Sequence, residues 1–211
     1  MVLTERDYKI LREINRWRFL LGRHVKEFCD FEGVRACDKR LRTLMDAGYI
    51  DRQKVLYGVP GVYTLTSKGK ILLGLSPKKE KIRVGKINHD ILMLDSAVAL
   101  MDVYKITKED ITTEKEQRSK DGFNSSKHYP DFTFIKGHED KETRYCVEIE
   151  LTAKAKARLL AILKENYTKY DKQVWIIPHN ESRIKETIEK SSLMDIEIIE
   201  CEVITNYIRN R

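Results

Sequence analysis

Acidic side chains alternate with apolar ones along residues 145–152. Such alternation is typical of a β-strand, so Glu148 and Glu150 share one face and lie ~6.6 Å apart along it, at ~3.3 Å per residue. Asp131 begins the preceding predicted strand. If these strands pair, Asp131 and Glu148 converge at one end of a sheet, where carboxylate oxygens suit Mg²⁺ or Mn²⁺. Asp131 and Glu148 are therefore candidate metal ligands, and Glu150 is a further candidate catalytic residue.

A divalent ion held at this position would support chemistry on phosphates. The ion lowers the pKa of its bound water and stabilises a pentacovalent phosphate, which is how metal-dependent nucleases break a phosphodiester. Glu114, from an earlier predicted strand, is an additional candidate ligand. The alternative is an exposed sheet face, on which glutamates commonly alternate with apolar residues. The spacing alone leaves both interpretations open.

Helical and strand patterns surround these carboxylates and predict a mixed α/β module. In Ile87–Tyr104, apolar residues recur at intervals of three and four, which predicts an amphipathic helix. Residues 173–177 are apolar without alternation, as in a strand covered on both faces. The predicted order is α-β-β-β-α-β-α-β, with the elements after the first at residues 110–116, 129–135, 144–152, 153–170, 173–177, 182–190 and 196–203.

A second pattern with chemical consequences lies in residues 32–48. Arg35, Lys39 and Arg42 recur along one side of a predicted helix. The opposite side is apolar and consists of Val34, Cys37, Leu41, Leu44 and Met45. A helix that packs with one face and presents cations on the other is typical of contact with DNA phosphates.

The residues around this helix predict a winged helix-turn-helix. Residues 4–21 and 22–29 form two preceding helices, the first with Thr4 as its N-cap. Gly48 ends the third helix, and residues 49–57 and 62–66 then form a hairpin, followed by a short closing helix. Arg52 and Lys54 lie in this wing. In this arrangement the third helix enters the major groove and the wing meets a phosphate strand, so we expect contact with double-stranded DNA.

Charge is distributed unevenly along the chain. Residues 1–86 hold 20 Lys and Arg against 10 Asp and Glu, whereas residues 87–211 hold 20 against 23. A basic first module suggests electrostatic attraction to nucleic acid, and the second module has a different task. We predict a winged helix at residues 1–75, a charged linker at 76–86 and an α/β domain at 87–211. Surface lysines and arginines also cover helices that bind only protein, which is the alternative.

Several classes of protein are excluded by simpler features. No run of eighteen apolar residues is present, and the first residues lack the apolar stretch of a signal peptide. We therefore expect a soluble, cytoplasmic protein with no membrane partner. The four cysteines are scattered singly, without the paired spacing of a zinc site, and are interpreted as small apolar side chains. Winged helices often form dimers, so a homodimer is one expectation for the oligomeric state.

The second module resembles the PD-(D/E)xK nuclease superfamily. The resemblance rests on Pro130-Asp131, on Glu148-Ile-Glu150 and on the order of the surrounding elements. It implies a restriction-endonuclease-like αβββαβ core. Active members usually carry lysine two residues after the acid, where this chain has Glu150 or Thr152. In some members the lysine lies on the following helix, and Lys154, Lys156 or Lys164 is then the candidate, with Lys154 the first choice.

More of the chain resembles the replication-relaxation family of plasmids and mobile elements. The resemblance covers nearly the whole length. Its motifs are Leu3-Thr4-x-Arg6-Asp7, Arg40-Leu41-Arg42-x-Leu44 with Ala47-Gly48, Tyr63-x-Leu65-Thr66-x-x-Gly69, Asn88-His89-Asp90, Tyr129-Pro-Asp131, Glu148-Ile-Glu150-x-Thr152 and Lys164-x-x-Tyr167. It implies a DNA-binding accessory protein of plasmid replication or transfer with a nuclease-like second domain.

Three hypotheses about function follow. The first is a DNA-binding accessory protein of replication, transfer or transcriptional control, whose nuclease-like domain is a scaffold for dimerisation or partner contact. The second is a Mg²⁺- or Mn²⁺-dependent endonuclease targeted by its winged helix, and the third is a protein-interaction module that binds no nucleic acid. The missing lysine favours the first over the second. His89 is interpreted as a surface or core histidine, and His128 is only a weak candidate.

Overall fold

The computed structural model describes residues 2–78, 80–122, 127–137 and 141–211. The chain combines helices with two sheets and divides into two compact units, Met1–Ile87 and Asn88–Arg211. All four cysteines are buried, and none forms a disulfide. Within the described ranges, no helix has both the length and the apolar character needed to cross a bilayer.

The first unit consists of three helices, a hairpin and a closing helix. Its core contains aliphatic residues from the first three helices and the stacked rings of Trp17 and Phe28, whose centroids are 5.6 Å apart. This order follows the apolar periodicity of the sequence. The elements are α1 Glu5–Trp17, α2 Gly22–Phe28, α3 Val34–Asp46, β1 Ile50–Gln53, β2 Val62–Leu65 and α4 Ser67–Leu72.

Helix α1 is shorter than its apolar pattern predicted. The helix ends at Trp17, and Arg18 has a positive φ of 71°. Leu20 then forms a β-bridge with Tyr63 of β2, in which each backbone N–H donates to the other residue's carbonyl at 3.1 and 2.7 Å. Leu20 is buried, as predicted, but it reaches the core as an extended residue rather than as part of a helix.

The junction between α3 and the hairpin is fixed by a glycine cap. Gly48 has φ 75°, its N–H donates to the Met45 carbonyl at 2.8 Å, and the Tyr49 N–H donates to the Leu44 carbonyl at 3.0 Å. This pair of bonds is a Schellman motif, which glycine favours because it has no Cβ. The first hairpin strand ends at Gln53, so the prediction that it continues to residue 57 was wrong.

The segment after α4 is tied back to that helix. Ser67 Oγ donates to the Pro77 carbonyl at 2.9 Å, and Lys70 Nζ donates to the Lys78 carbonyl at 2.7 Å. The described residues from 76 to 83 have no helix or strand, and a 3₁₀ turn occupies Val84–Lys86. Lys79, in the predicted linker, lies outside the described residues.

The second unit is built around a five-stranded sheet of order β3-β4-β5-β6-β7. The first two pairings are antiparallel and the last two are parallel. Leu159 and Leu163 from one helix and Ile184 from the next pack with Trp175 of the sheet. The elements are α5 Ile87–Tyr104, β3 Ile111–Thr113, α6 Glu114–Lys120, β4 Phe132–Lys136, β5 Thr143–Ile149, α7 Lys156–Lys169, β6 Lys172–Ile177, α8 Ser182–Glu189, β7 Ile196–Glu200 and α9 Cys201–Arg209.

Two predicted strands end early because a helix begins inside them. Strand β3 stops at Thr113, whose hydroxyl accepts from the Glu116 N–H at 3.3 Å while the Glu116 carboxylate accepts from the Thr113 N–H at 2.8 Å. This reciprocal capping box starts α6. Strand β7 stops at Glu200, and α9 buries Cys201 and Ile204, which are one helical turn apart.

Side chains of helices α3 and α7 also differ in part from the predicted faces. Val34, expected in the apolar stripe of α3, is 61 % exposed at the start of that helix. Tyr167, expected inside α7, is 50 % exposed, and the neighbouring Asn166 is buried instead. The buried side of α7 is thus one residue away from the predicted one at its C-terminal end.

Candidate functional site

The pairing of β4 with β5 brings two of the predicted acids to neighbouring positions. The last pair in the ladder is Phe132 with Val147, so Asp131 and Glu148 are the next residues on the two strands. The Asp131 Oδ2 atom accepts a hydrogen bond from the Ile149 N–H at 2.8 Å. Asp131 is therefore anchored to the strand that carries Glu148.

His89, from the first turn of α5, lies against Asp131. Its Nε2 is 3.4 Å from Asp131 Oδ2, and its Nδ1 is 3.2 Å from Asp90 Oδ1. Burial works against the charged imidazolium, but the hydrogen bonds and charges of the two carboxylates outweigh it and raise the pKa of His89 to about 10. His89 is therefore a cation at neutral pH and balances the charge of Asp131.

Glu148 is 4 % exposed and has its own internal partners. Its Oε1 lies 2.6 Å from His128 Nε2 and accepts from Asn166 Nδ2 of α7 at 2.9 Å. Burial raises the pKa of Glu148, with Asp131 adding to the rise, although the bonds from His128 and Asn166 favour the charged form. Burial lowers the pKa of His128, because it favours the neutral imidazole. The hydrogen bond and charge of Glu148 outweigh burial, so the pKa of His128 is raised overall.

Glu150 and Glu114 are engaged separately from these pairs. Glu150 is buried, forms an ion pair with Lys154, and its backbone N–H donates to the Ile176 carbonyl at 3.0 Å. Glu114 pairs with Arg118 at 2.8 Å within α6. Its backbone N–H donates to the Asp131 carbonyl at 3.1 Å. Glu114 thus supports the position of Asp131 through its backbone.

Protein donors meet one oxygen of each of these carboxylates, which bears on how a divalent metal could bind. In the described part of the chain, no group of three or more His, Cys, Asp or Glu side chains is arranged to hold a metal ion. His89 lies on Asp131, His128 and Asn166 lie on Glu148, and Lys154 lies on Glu150. Because these donors meet Oδ2 of Asp131 and Oε1 of Glu148, Mg²⁺ or Mn²⁺ would have to displace them or bind the second oxygen of each carboxylate beside the cationic His89.

Sequence reasoning missed the donors that complete this cluster. His89 and His128 were given minor roles, and Asn166 was not singled out. A signal for His89 was present, because Asn88-His89-Asp90 is one of the motifs of the family resemblance. His128 precedes the Tyr129-Pro-Asp131 motif by one residue. Asn166 had no such signal, because a polar residue on a helix is normally expected on its exposed side.

The predicted cations of the first unit lie on the surface. Arg35, Lys39 and Arg42 are exposed on α3, while Cys37 and Leu41 of the same helix are buried. These three cations occupy positions i, i+4 and i+7, so they lie along one side of the helix. An exposed acid, Asp38, also lies on α3, and this surface is therefore basic but not purely cationic.

The hairpin adds exposed cations next to aromatic rings. Arg52 on β1 lies with its guanidinium carbon 5.7 Å from the Tyr63 ring centroid. Lys54 lies in the connection beyond β1, with its Nζ 5.5 Å from the ring centroid of Tyr57, which is 96 % exposed. All five predicted DNA contacts thus have exposed side chains within the first unit.

Arg40 of α3 has a structural partner instead. Its guanidinium pairs with Asp7, which is fully buried and also accepts from the Thr4 N–H and hydroxyl at 2.7 and 2.8 Å. Burial raises the pKa of Asp7, but the bonds from Arg40 and Thr4 outweigh this effect and lower it overall. The pair fixes α3 against the start of α1.

Comparisons of the chain with protein-family models, curated proteins and solved structures found no match.

Proposed function

We propose that this chain is a DNA-binding protein whose first unit is a winged helix-turn-helix that contacts double-stranded DNA through α3 and the hairpin. One observation carries the proposal. Arg35, Lys39 and Arg42 are exposed along one side of α3, whereas Cys37 and Leu41 fix the other side in the core. A basic helix held in this way can place its side chains against phosphates and base edges of the major groove.

The charge of the first unit supports the same function. Its excess of ten positive charges attracts a polyanion, and binding to phosphates releases counterions from DNA. Arg52 and Lys54 would meet the phosphate strand beside the groove. We propose a role as an accessory protein in replication or transfer of a plasmid or mobile element, or in its transcriptional control.

For the second unit we propose a nuclease-like fold of the PD-(D/E)xK type that is catalytically silent and serves dimerisation or partner contact. The neighbouring positions of Asp131 and Glu148 support the fold assignment. The internal donors support the absence of catalysis, because a divalent cation would lie beside the cationic His89 and would compete with His128 and Lys154 for the charge of Glu148 and Glu150.

The DNA-binding role is tested by fluorescence anisotropy of a labelled duplex over a range of salt concentrations. Each of Arg35→Gln, Lys39→Gln and Arg42→Gln should weaken binding, and each lost phosphate contact should reduce the slope of log K against log salt by about 0.9. Arg12→Gln on α1 removes an equal charge from an exposed pair and serves as the control. A chain that binds no duplex at low salt would instead be a protein-interaction module.

The alternative function is a metal-dependent endonuclease, and the adjacency of Asp131 and Glu148 favours it. Supercoiled plasmid is incubated with the protein and Mg²⁺ or Mn²⁺, beside Asp131→Asn and Glu148→Ala. We expect intact plasmid in every lane while the protein still shifts it in a gel. Nicking that disappears in both variants, with DNA binding retained, would establish the nuclease in place of the silent fold.

A further inference from the structure

A cavity of about 430 Å³ opens between α7 and α8 of the second unit. Its walls carry four cations: Lys154 and Lys156 from the start of α7 and its approach, and Arg183 and Lys190 from α8 and its end. Glu186 is the one acid among the lining residues. The cavity therefore has a positive lining, in a unit whose sequence as a whole has a slight excess of acids.

Two of the four cations are not part of an ion pair. Lys154 pairs with Glu150, and Lys190 pairs with Glu186. Lys156 and Arg183, in contrast, form no ion pair with any described residue and are exposed at the cavity, although the charge of Lys156 contributes to lowering the pKa of Glu186. Two like charges on facing walls repel each other, and an anion between them would relieve this repulsion.

The floor of the cavity is apolar and belongs to the core. Leu159 of α7 and Ile184 of α8 line it and are at most 2 % exposed. Both residues belong to the cluster that joins these helices to Trp175 of the sheet. Packing thus holds the two basic walls at a fixed separation, which reduces the ordering that a bound ligand would require.

The start of α7 adds backbone donors to the same wall. Ala155 is the N-cap of this 14-residue helix and offers no side-chain oxygen to the first-turn amides. Amides at a helix N-terminus carry partial positive charge and bind anions. Of the first-turn residues, Lys156 lines the cavity, whereas the Arg158 N–H already donates to the Ala155 carbonyl at 2.9 Å.

We propose that the cavity between α7 and α8 binds a phosphate group, carried by a nucleotide or by a nucleic-acid strand. The side chains of Lys156 and Arg183 and the backbone amide of Lys156 hold the phosphate, and the apolar residues Leu159 and Ile184 accommodate the uncharged part of the ligand. Arginine and lysine are suited to phosphate through charge-assisted hydrogen bonds. This site lies in the second unit and does not depend on DNA binding by α3.

Isothermal titration calorimetry of the full chain tests the site, with adenosine 5′-monophosphate, a dinucleotide with one phosphodiester, and adenosine as probes. The double variant Lys156→Gln/Arg183→Gln removes both unpaired cations. The control, Arg158→Gln/Lys185→Gln, removes an exposed arginine and an exposed lysine from the same helices, neither of which lines the cavity. Because all four side chains are exposed, both variants should fold, which circular dichroism verifies.

We expect a phosphate-bearing probe to bind, adenosine not to bind, and the dissociation constant to rise about tenfold or more in the cavity variant while the control is unchanged. Stronger binding of the monophosphate would identify a free nucleotide as the ligand, and binding of the dinucleotide alone would identify a strand. Absence of binding, equal weakening in both double variants, or equal binding of adenosine would overturn the proposal. Loss of duplex binding in the α3 variants would leave this result unaffected.

Discussion

The imidazole Nε2 of His128 lies 2.6 Å from Oε1 of Glu148, a carboxylate that the fold buries almost completely. Asn166 donates to the same oxygen from α7. A buried carboxylate is costly unless charged or polar donors meet it. The loop before β4 and helix α7 thus both supply partners to one side chain of β5, and the three elements meet at Glu148.

The first prediction concerns the protonation of His128. Replacing Glu148 with Gln removes the charge that favours the imidazolium while burial still opposes it, so the pKa of His128 should fall to or below its ordinary value of 6.5. Two-dimensional NMR of the His128 imidazole over a pH series measures this pKa in both proteins. Glu165→Gln is the matched control, because Glu165 makes a smaller electrostatic contribution to His128. A larger fall in the pKa of His128 with Glu165→Gln than with Glu148→Gln would show that Glu148 is not its main charge partner.

The second prediction concerns His89, whose pKa is raised to about 10 by Asp131 and Asp90 against the effect of burial. A raised pKa in the folded state stabilises the fold below the unfolded value of 6.5, and this stabilisation is lost as the pH rises to about 10. The free energy of unfolding lost in His89→Gln should therefore be larger at pH 6 than at pH 10. Urea unfolding of both proteins at the two pH values measures the difference.

His179→Gln is the control for this experiment. His179 also pairs with a carboxylate, Glu200, at 2.8 Å, but its side chain is 74 % exposed. Solvent screens such a pair, so its removal should change stability little at either pH. If His89→Gln and His179→Gln change stability alike, the partly buried pair of His89 with Asp131 stabilises the fold no more than an exposed pair does.

The sequence predicted the order of elements in the first unit because its helices repeat apolar residues at a regular period. Periodicity reports which side of an element is buried and not which residue lies opposite. The Leu20–Tyr63 bridge and the Asp7–Arg40 pair join residues far apart in sequence, so no local pattern contains them. For the same reason, the sequence-based interpretation did not place His89 beside Asp131.

Local signals for the two missed helices were present in the sequence. Thr113 followed by Glu116 is a capping box that marks the start of α6, although the alternation before it favours a strand. Cys201 and Ile204 have helical spacing, but they follow a β-branched run that continues the strand pattern. At both junctions a strand passes directly into a helix. The same short stretch of sequence therefore contains both the two-residue period of a strand and the 3.6-residue period of a helix.

The third prediction concerns the Asp7–Arg40 pair between α1 and α3. Arg40→Gln leaves the fully buried Asp7 carboxylate without its cation and should destabilise the first unit by roughly 3 kcal/mol. The loss should diminish at low pH, because the pKa of Asp7 is lowered in the fold and its stabilisation disappears as the carboxylate is protonated. Thermal or urea unfolding measures both effects.

Arg12→Gln provides the comparison for Arg40→Gln. Arg12 pairs with Glu5 at 3.2 Å on α1, but both side chains are more than 60 % exposed. An exposed pair contributes about 0–1 kcal/mol, so this variant should remain close to the parent protein. Equal destabilisation by the two substitutions would show that burial of Asp7 does not matter.

The fourth prediction concerns Gly69, where α4 approaches the end of α3. A Cβ at this position would lie 2.2 Å from the carbonyl oxygen of Tyr49, a backbone atom that can move only with the chain. The same turn is held by Thr66, whose hydroxyl donates to the Gly48 carbonyl at 2.7 Å. Gly69→Ala should therefore shift α4 and destabilise the first unit by about 2 kcal/mol or more, measured by urea unfolding. Gly85→Ala is the control, because nothing lies within 4 Å of its added Cβ and its φ is not positive. Its stability should equal or slightly exceed that of the parent, since alanine reduces the entropy of the unfolded chain. If both substitutions are tolerated equally, the close approach of α4 to Tyr49 does not determine the position of the closing helix.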